Sequence, residues 1–280
     1  MSDTRTIALS NDPIPSPPRP GRARSRTLNT PLARFGLPLL AFVVTIVIWQ
    51  ILVVTLDIKQ YILPAPTVVW DRLITSIPEL WAALLVTASE VVWGFLLATV
   101  ISIPLAYLIA SVRWVEIMFY PLIVVLQTIP KIAVAPLFIV WFGFGSLPKI
   151  LLTFLLCFFP ILVDTLTGFK ALDPRVLYIT RSMGASRLQT FGFVRLPSAL
   201  PYIFSGLKVA VVLAVTGAIV AEFVGSNAGL GYLLLRSSAN LDTPLIFAVL
   251  VVLSLLGLAF SFLVELAEKL VAPWERKSHN

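Results

Sequence analysis

Ionisable side chains stand inside long apolar runs of this chain, among them Glu90, Lys131, Asp164 and Glu222. At membrane depth a charge is costly unless it faces a cavity, pairs with another charge or reaches the interface. Lys131, between Pro130 and Ile132, therefore admits several readings. It is a pore-lining cation suited to an anionic solute, a residue near the outer interface, or the partner of Glu90 or Glu222. Glu222, near the outer end of its run, either belongs to an outer gate or reaches headgroup water. Gln127 and Thr128 either line a path or hydrogen-bond backbone groups freed by Pro130. Asp164 reads as interfacial. These residues make no catalytic set. The chain has one cysteine, Cys157 in an apolar run, and one histidine, His279 near the C-terminus. One Cys and one His make no zinc site, and no Ser–His pair is at hand. An intramembrane enzyme is disfavoured on that ground. The phosphate-cradling pattern G-x-x-x-x-G-K-[ST] is absent as well, so the chain cannot hold ATP by that route.

The elements that must position these residues are membrane spans. Of 280 residues 58% are hydrophobic and 12% charged, about half the charge of a soluble domain. The apolar residues come in runs long enough to cross a bilayer. The spacing predicts spans over 36–56, 86–110, 150–168, 202–223 and 244–266. A further stretch, 116–142, carries Pro121, Pro130 and Pro136. One continuous helix of that length would be about 40 Å long, more than the hydrocarbon core, so a kinked or interrupted helix is expected there. The first run is too long for a signal-peptide core and lacks an Ala-x-Ala exit. The expected organisation is a disordered cytoplasmic tail over 1–35, a membrane domain over 36–271 with a loop at 169–200, and a short cytoplasmic tail over 272–280. Segments 57–85 and 224–242 read as external.

Net charge is +7. Of the 21 Lys and Arg, all but Lys59, Arg72, Lys149, Arg236 and Lys131 fall on the side of the N-terminus. That bias favours both termini in the cytoplasm and assigns the basic charge to membrane topology rather than to nucleic acid. Lys59, Arg72, Lys149 and Arg236 fall on the outer segments.

The 169–200 loop has its own architecture. Asp173-Pro174 is a helix start, since Asp caps free amides and Pro suits the first helical position. A short helix over 174–183 is predicted to stop at Gly184. Ser186-Arg187-Leu188-Gln189 reads as a capping box that starts a second helix. Leu196-Pro197 and Pro201 are expected to break the chain again. The result is a rigid, basic helix–Gly–helix elbow, able to pass force to a partner. Arg187 reads equally as a contact in that elbow and as a solvated charge near headgroups.

The run Arg181-Ser182-Met183-Gly184-Ala185-Ser186-Arg187, followed by Val194-Arg195-Leu196-Pro197, resembles the "EAA" loop of binding-protein-dependent ABC transporter permeases. Gly184, Val194, Leu196 and Pro197 fall in register with that pattern. Tyr178, Ile179 and Thr180 stand where the family has Glu-Ala-Ala. The resemblance extends from Tyr61 to Trp274. It takes in Leu63-Pro64-Ala65-Pro66, Gln127-Thr128-Ile129-Pro130-Lys131, Trp141-Phe142-Gly143-Phe144-Gly145 and Ala221-Glu222-Phe223. These look like the branch importing nitrate, sulfonates, taurine or pyrimidine precursors. The resemblance implies an all-α polytopic protein of about six transmembrane helices with the type I ABC importer permease fold. It implies a bacterial inner-membrane homodimer that works with a separate ABC ATPase, which holds ATP and Mg, and with a periplasmic or lipid-anchored solute-binding protein. Ser182, Met183, Gly184, Ala185, Ser186 and Arg187 would form the coupling turn on the ATPase. Gln127, Thr128, Lys131 and Glu222 are the candidate pore or gate residues. The competing reading, an ion-coupled carrier acting alone, should show two similar halves with paired broken helices. Only one strongly Pro-broken stretch is present.

Overall fold

The computed structural model describes residues 31–273. Residues 1–30 and 274–280, with His279 and most of both expected tails, lie outside them. Every regular element among the described residues is helical. They are α1 (Pro31–Thr55), α2 (Pro66–Thr75), α3 (Ile77–Ser111), α4 (Arg113–Thr128), α5 (Ala135–Phe142), α6 (Ser146–Lys170), α7 (Pro174–Ser182), α8 (Arg187–Thr190), α9 (Leu196–Gly225), α10 (Leu230–Ala239) and α11 (Thr243–Val271). Five helical stretches are long and apolar enough to cross a membrane, and a bent pair makes a sixth. The part of α1 before Trp49 is a unit of its own; residues from Trp49 onward form the packed unit described below.

Helix α6 lies between α3 and α9. Small residues let these backbones come close. A Cβ on Gly94 of α3 would sit 2.5 Å from the Thr153 Cβ on α6, and one on Gly217 of α9 would sit 3.0 Å from the Thr153 Cα. Close backbone approach of this kind is how helices pack where lipid removes the hydrophobic drive. Buried side chains fill the seams, among them Val91, Ala98, Cys157, Ile161, Ala210 and Val211. Two buried polar side chains bond across the seams: Ser102 Oγ donates to the Phe158 carbonyl at 3.1 Å, and Cys157 Sγ to that of Ala210 at 3.2 Å. At one end of the bundle α2, α10 and the start of α11 pack over the start of α3 around Leu80, Leu230, Leu245 and Val249. At the other end lies the α7–α8 elbow.

Several boundaries differ from those expected. The first helix begins at Pro31, inside the segment expected to be a disordered tail. Helix α3 begins at Ile77 rather than 86, because Pro78 and Glu79 are good first-turn residues and its N-terminal end packs under α10. At 35 residues it is about 52 Å long, so one end must project beyond the hydrocarbon. Segments 57–85 and 224–242 are therefore largely helical. The interrupted stretch is bent by 83° between α4 and the Lys131–Phe142 segment, as its prolines foretold in kind. Only Pro130 breaks it, however. Ile129 before it is extended (φ −67°, ψ 128°), as a residue preceding Pro prefers. Pro121 stays inside α4, and Pro136 sits in the first turn of α5, where its missing N–H costs nothing. Leu196-Pro197 and Pro201 also fail to break the chain. Arg187–Gly225 runs as one helical stretch of 39 residues, with a π-helical turn over Phe191–Arg195 absorbing the misfit.

Candidate functional site

Three polar regions stand out, and they lie at different depths. The first is the elbow. Asp173 accepts the Arg175 amide at 2.8 Å and so caps α7. At its other end Gly184 adopts φ +77°, and the Ala185 amide donates back to the Thr180 carbonyl at 3.1 Å. That six-to-one closure around a left-handed glycine is the Schellman stop, which ties up free carbonyls at the helix end. Two residues later Ser186 Oγ accepts the Gln189 amide at 3.2 Å, while Gln189 Oε1 accepts the Ser186 amide at 2.8 Å. The capping box read from the sequence is thus complete. Ser182 donates to the Tyr178 carbonyl at 3.0 Å.

Behind the turn, aromatic rings fasten the elbow to the bundle. Tyr107 of α3 lies 4.4 Å from Phe191 and 5.4 Å from Phe169 of α6, centroid to centroid. Arg195 donates to Ser111 Oγ at 3.2 Å across the same junction. In front of the turn the surface is apolar: Met183 is 80% exposed, Leu188 80% and Phe193 82%. Met183 and Phe193 line a groove together with Gly184 and Ala185. Arg187 is exposed and lines a neighbouring cleft with Arg195. Leu188 and Phe193 were not singled out by sequence reasoning. The available signal was a pair of large apolar residues inside an otherwise polar loop.

The second region is the bend between α4 and α5. Lys131 Nζ donates to the Gln127 carbonyl at 3.0 Å and lies 4.8 Å from the Phe159 ring centroid. Its pairing with Glu90 or Glu222, one of the expectations, is not made. Thr128 Oγ1 donates to the Val125 carbonyl at 2.7 Å, serving the last turn of its own helix. Gln127 is exposed on the same face.

The third region is a buried polar cluster at the α10 end. Glu222 is 1% exposed. Its Oε1 accepts from Thr87 Oγ1 at 2.7 Å and its Oε2 accepts the Gly231 amide. Thr87 Oγ1 in turn accepts the Leu230 amide at 2.8 Å. Two of the free amides at the start of α10 are thereby met, and the carboxylate sits where the helix dipole favours negative charge. Beside it Glu90, also 1% exposed, is ion-paired with Lys149. Lys149 donates to Ser226 Oγ at 3.0 Å as well. Lys149 was expected on an outer segment; it is 6% exposed inside the protein. Its place beside the Pro148 helix start hid the buried partner on α3, which no local pattern signals. Glu222 and Lys131 thus belong to separate regions, and the four candidate pore or gate residues do not form one site.

One glycine controls the third region. Gly229 adopts φ +107°, and a Cβ there would overlap the Glu222 carboxylate. Replacing Gly229 with Ala is expected to destabilise the protein by about 2–4 kcal/mol through backbone strain and overpacking. Thermal unfolding of the detergent-solubilised protein measures it; an unchanged midpoint would refute the tight fit.

Comparison with known proteins places this geometry. Residues 99–277 match the family described as binding-protein-dependent transport system inner membrane component. The chain belongs to that family. It is an ABC importer permease component, a multi-pass membrane protein. The riboflavin transport system permease protein RibX of Chloroflexus aurantiacus is 39% identical over 252 residues, 87% of this permease and 93% of RibX. The formylaminopyrimidine transport permease protein ThiX of Halalkalibacterium halodurans is 43% identical over 163 residues, 58% of this permease and 65% of ThiX. The putative aliphatic sulfonates transport permease protein SsuC of Escherichia coli is 34% identical over 238 residues, 84% and 90% of the two chains. Among solved structures, the inward-facing MetNI methionine ABC transporter superposes with a TM-score of 0.59 at 19% identity, over 70% of this permease and 95% of that chain. An amino acid ABC transporter gives 0.56 at 17% identity, over 71% and 96%. The permease therefore has the type I importer permease fold, and the family implies an ATPase and a solute-binding protein as partners.

Proposed function

We propose that this permease moves a small anionic or heterocyclic solute, delivered by a binding protein, by alternating access driven through the elbow by a separate ATPase. The observation that carries this reading is the elbow surface. Met183, Leu188 and Phe193 are large, apolar and exposed on a turn locked by Gly184 and Ser186. Apolar side chains held out on a rigid base fit a protein partner, not solvent. Ser182, Met183, Gly184, Ala185, Ser186 and Arg187 make the contact with the ATPase, which holds ATP and Mg. The Tyr107–Phe169–Phe191 stack carries its motion into α3 and α6.

In this reading two copies form the pathway, with both termini in the cytoplasm of a bacterial inner membrane. The membrane domain spans 36–271, with 169–200 as its coupling loop and tails before and after it. Gln127, Thr128 and Lys131 line the path at the bend. Glu222 serves the outer gate by holding the start of α10. The heterocyclic and sulfonate classes named for the relatives are the solutes this reading favours.

The test is transport. Proteoliposomes containing the permease, its ATPase and its binding protein are expected to take up solute only when ATP is supplied on the ATPase side. Equal uptake by the permease alone, without ATP, would overturn the reading and support an ion-coupled carrier.

A further inference from the structure

Beside the bend lies a cleft of about 380 Å³, whose lining includes Gln127, Lys131, Phe159, Val163, Asp164 and Leu213. Its size is that of a small-molecule site. Phe159 and Val163 stand one turn apart near the middle of α6, and Leu213 is near the middle of α9, so the cleft lies well inside the span. It holds two opposite charges. Among the described residues neither Lys131 nor Asp164 joins an ion pair. Elsewhere in the spans Glu90 pairs with Lys149 and Glu268 with Lys208, and Glu222 is met by the Thr87 hydroxyl and the Gly231 amide. Lys131 spends one of its three donors on the Gln127 carbonyl and keeps its ammonium over the face of Phe159. Asp164 has the Ser205 hydroxyl for a neighbour and acceptor capacity left over. Unpaired ionisable groups at membrane depth mark solute pathways.

We infer that this cleft is the solute-contacting site within the membrane and that it takes an amphoteric solute. Such a solute offers an acidic or acceptor group to Lys131 and a basic or donor group to Asp164, with its carbon frame on Phe159. A simple anion would meet repulsion from Asp164, and a simple cation repulsion from Lys131. The inference rests on the permease reading and narrows its solute class.

The probe is the solute eluted from the purified binding protein and identified by mass spectrometry. In the reconstituted importer, Lys131→Met and Asp164→Asn are each expected to lower its uptake at least about tenfold, the loss of a charge-assisted contact. Stimulation of ATP hydrolysis by the binding protein should persist in both. Uptake that falls in Lys131→Met but holds or rises in Asp164→Asn reports a simple anion and overturns the inference; the mirror pattern reports a cation and does the same. Loss of ATPase stimulation together with uptake in both variants reports a structural role and also overturns it. A folding defect is separated by a second readout. With Cys157→Ala as background, Leu213→Cys in the intact complex should react with N-ethylmaleimide more slowly when the probe is present, and an unchanged rate overturns the site. Failure of the permease reading would look different, since the wild-type complex would then show no ATP-driven uptake at all.

Discussion

Replacing Gly184 with valine is expected to abolish ATP-driven uptake and its coupling to hydrolysis while leaving the permease inserted in the membrane. The reason lies in the backbone. At φ +77° a left-handed conformation costs an L residue about 1–2 kcal/mol, and a β-branched one more. No atom lies within 4 Å of where a Cβ would point, so the cost is conformational rather than steric. Valine would release the Ala185-to-Thr180 closure and swing Met183 away from Phe193. Asparagine, which tolerates the left-handed region, is expected to keep much of the activity. Uptake and ATPase stimulation in the reconstituted complex, read beside the amount of permease in the membrane, decide it. Wild-type uptake in the valine variant would remove the elbow from the mechanism.

The second large effect is expected at Lys149. Among the described residues its ammonium is the one cation paired with Glu90, and Glu222 lies beside that pair. Lys149→Met would leave Glu90 buried without a counter-charge. Removing one partner of a buried pair typically costs about 3–5 kcal/mol, because the other charge stays behind in a low dielectric. Ser226, which accepts from Lys149 and donates to the Ala228 carbonyl at 2.6 Å, would lose a partner too, loosening the approach to α10. The double variant Lys149→Met/Glu90→Met is expected to recover most of the loss, since it removes both charges. Thermal unfolding of single and double variants in detergent measures the difference. A double variant no more stable than the single would mean that the pair is not what holds the cluster.

The two sites differ in how legible they were. The elbow is local. Its Asp173-Pro174 start, its Gly184 stop and its Ser186/Gln189 box each bind backbone groups within a few residues, so the spacing alone announces them. The break at Pro130 was legible for the same reason. Pro197 and Pro201 misled because proline is judged by rules for isolated helices, whereas here Pro197 sits in the first turn of α9 and Pro201 is held within the packed span. The start of α3 was misplaced because residues 77–85 are amphipathic rather than uniformly apolar. Their burial comes from α10 and α11, which arrive much later in the chain.

Lys131, Lys149, Glu90, Asp164 and Glu222 show where local reading stops. All but Lys149, which was read onto an outer segment, could be recognised as costly charges, and their partners could not. The pairing of Glu90 with Lys149 joins α3 to α6; the hydrogen bonds of Glu222 join α9 to α3 and α10. Span number, the all-helical class and the turn at Gly184 follow from hydropathy and backbone chemistry over short windows, and the residues alone carry them. Which charges neutralise one another and which stay open to a solute depends on helices meeting across the bundle. Electrostatic pairing acts through space with no fixed sequence spacing, so that distinction belongs to the fold.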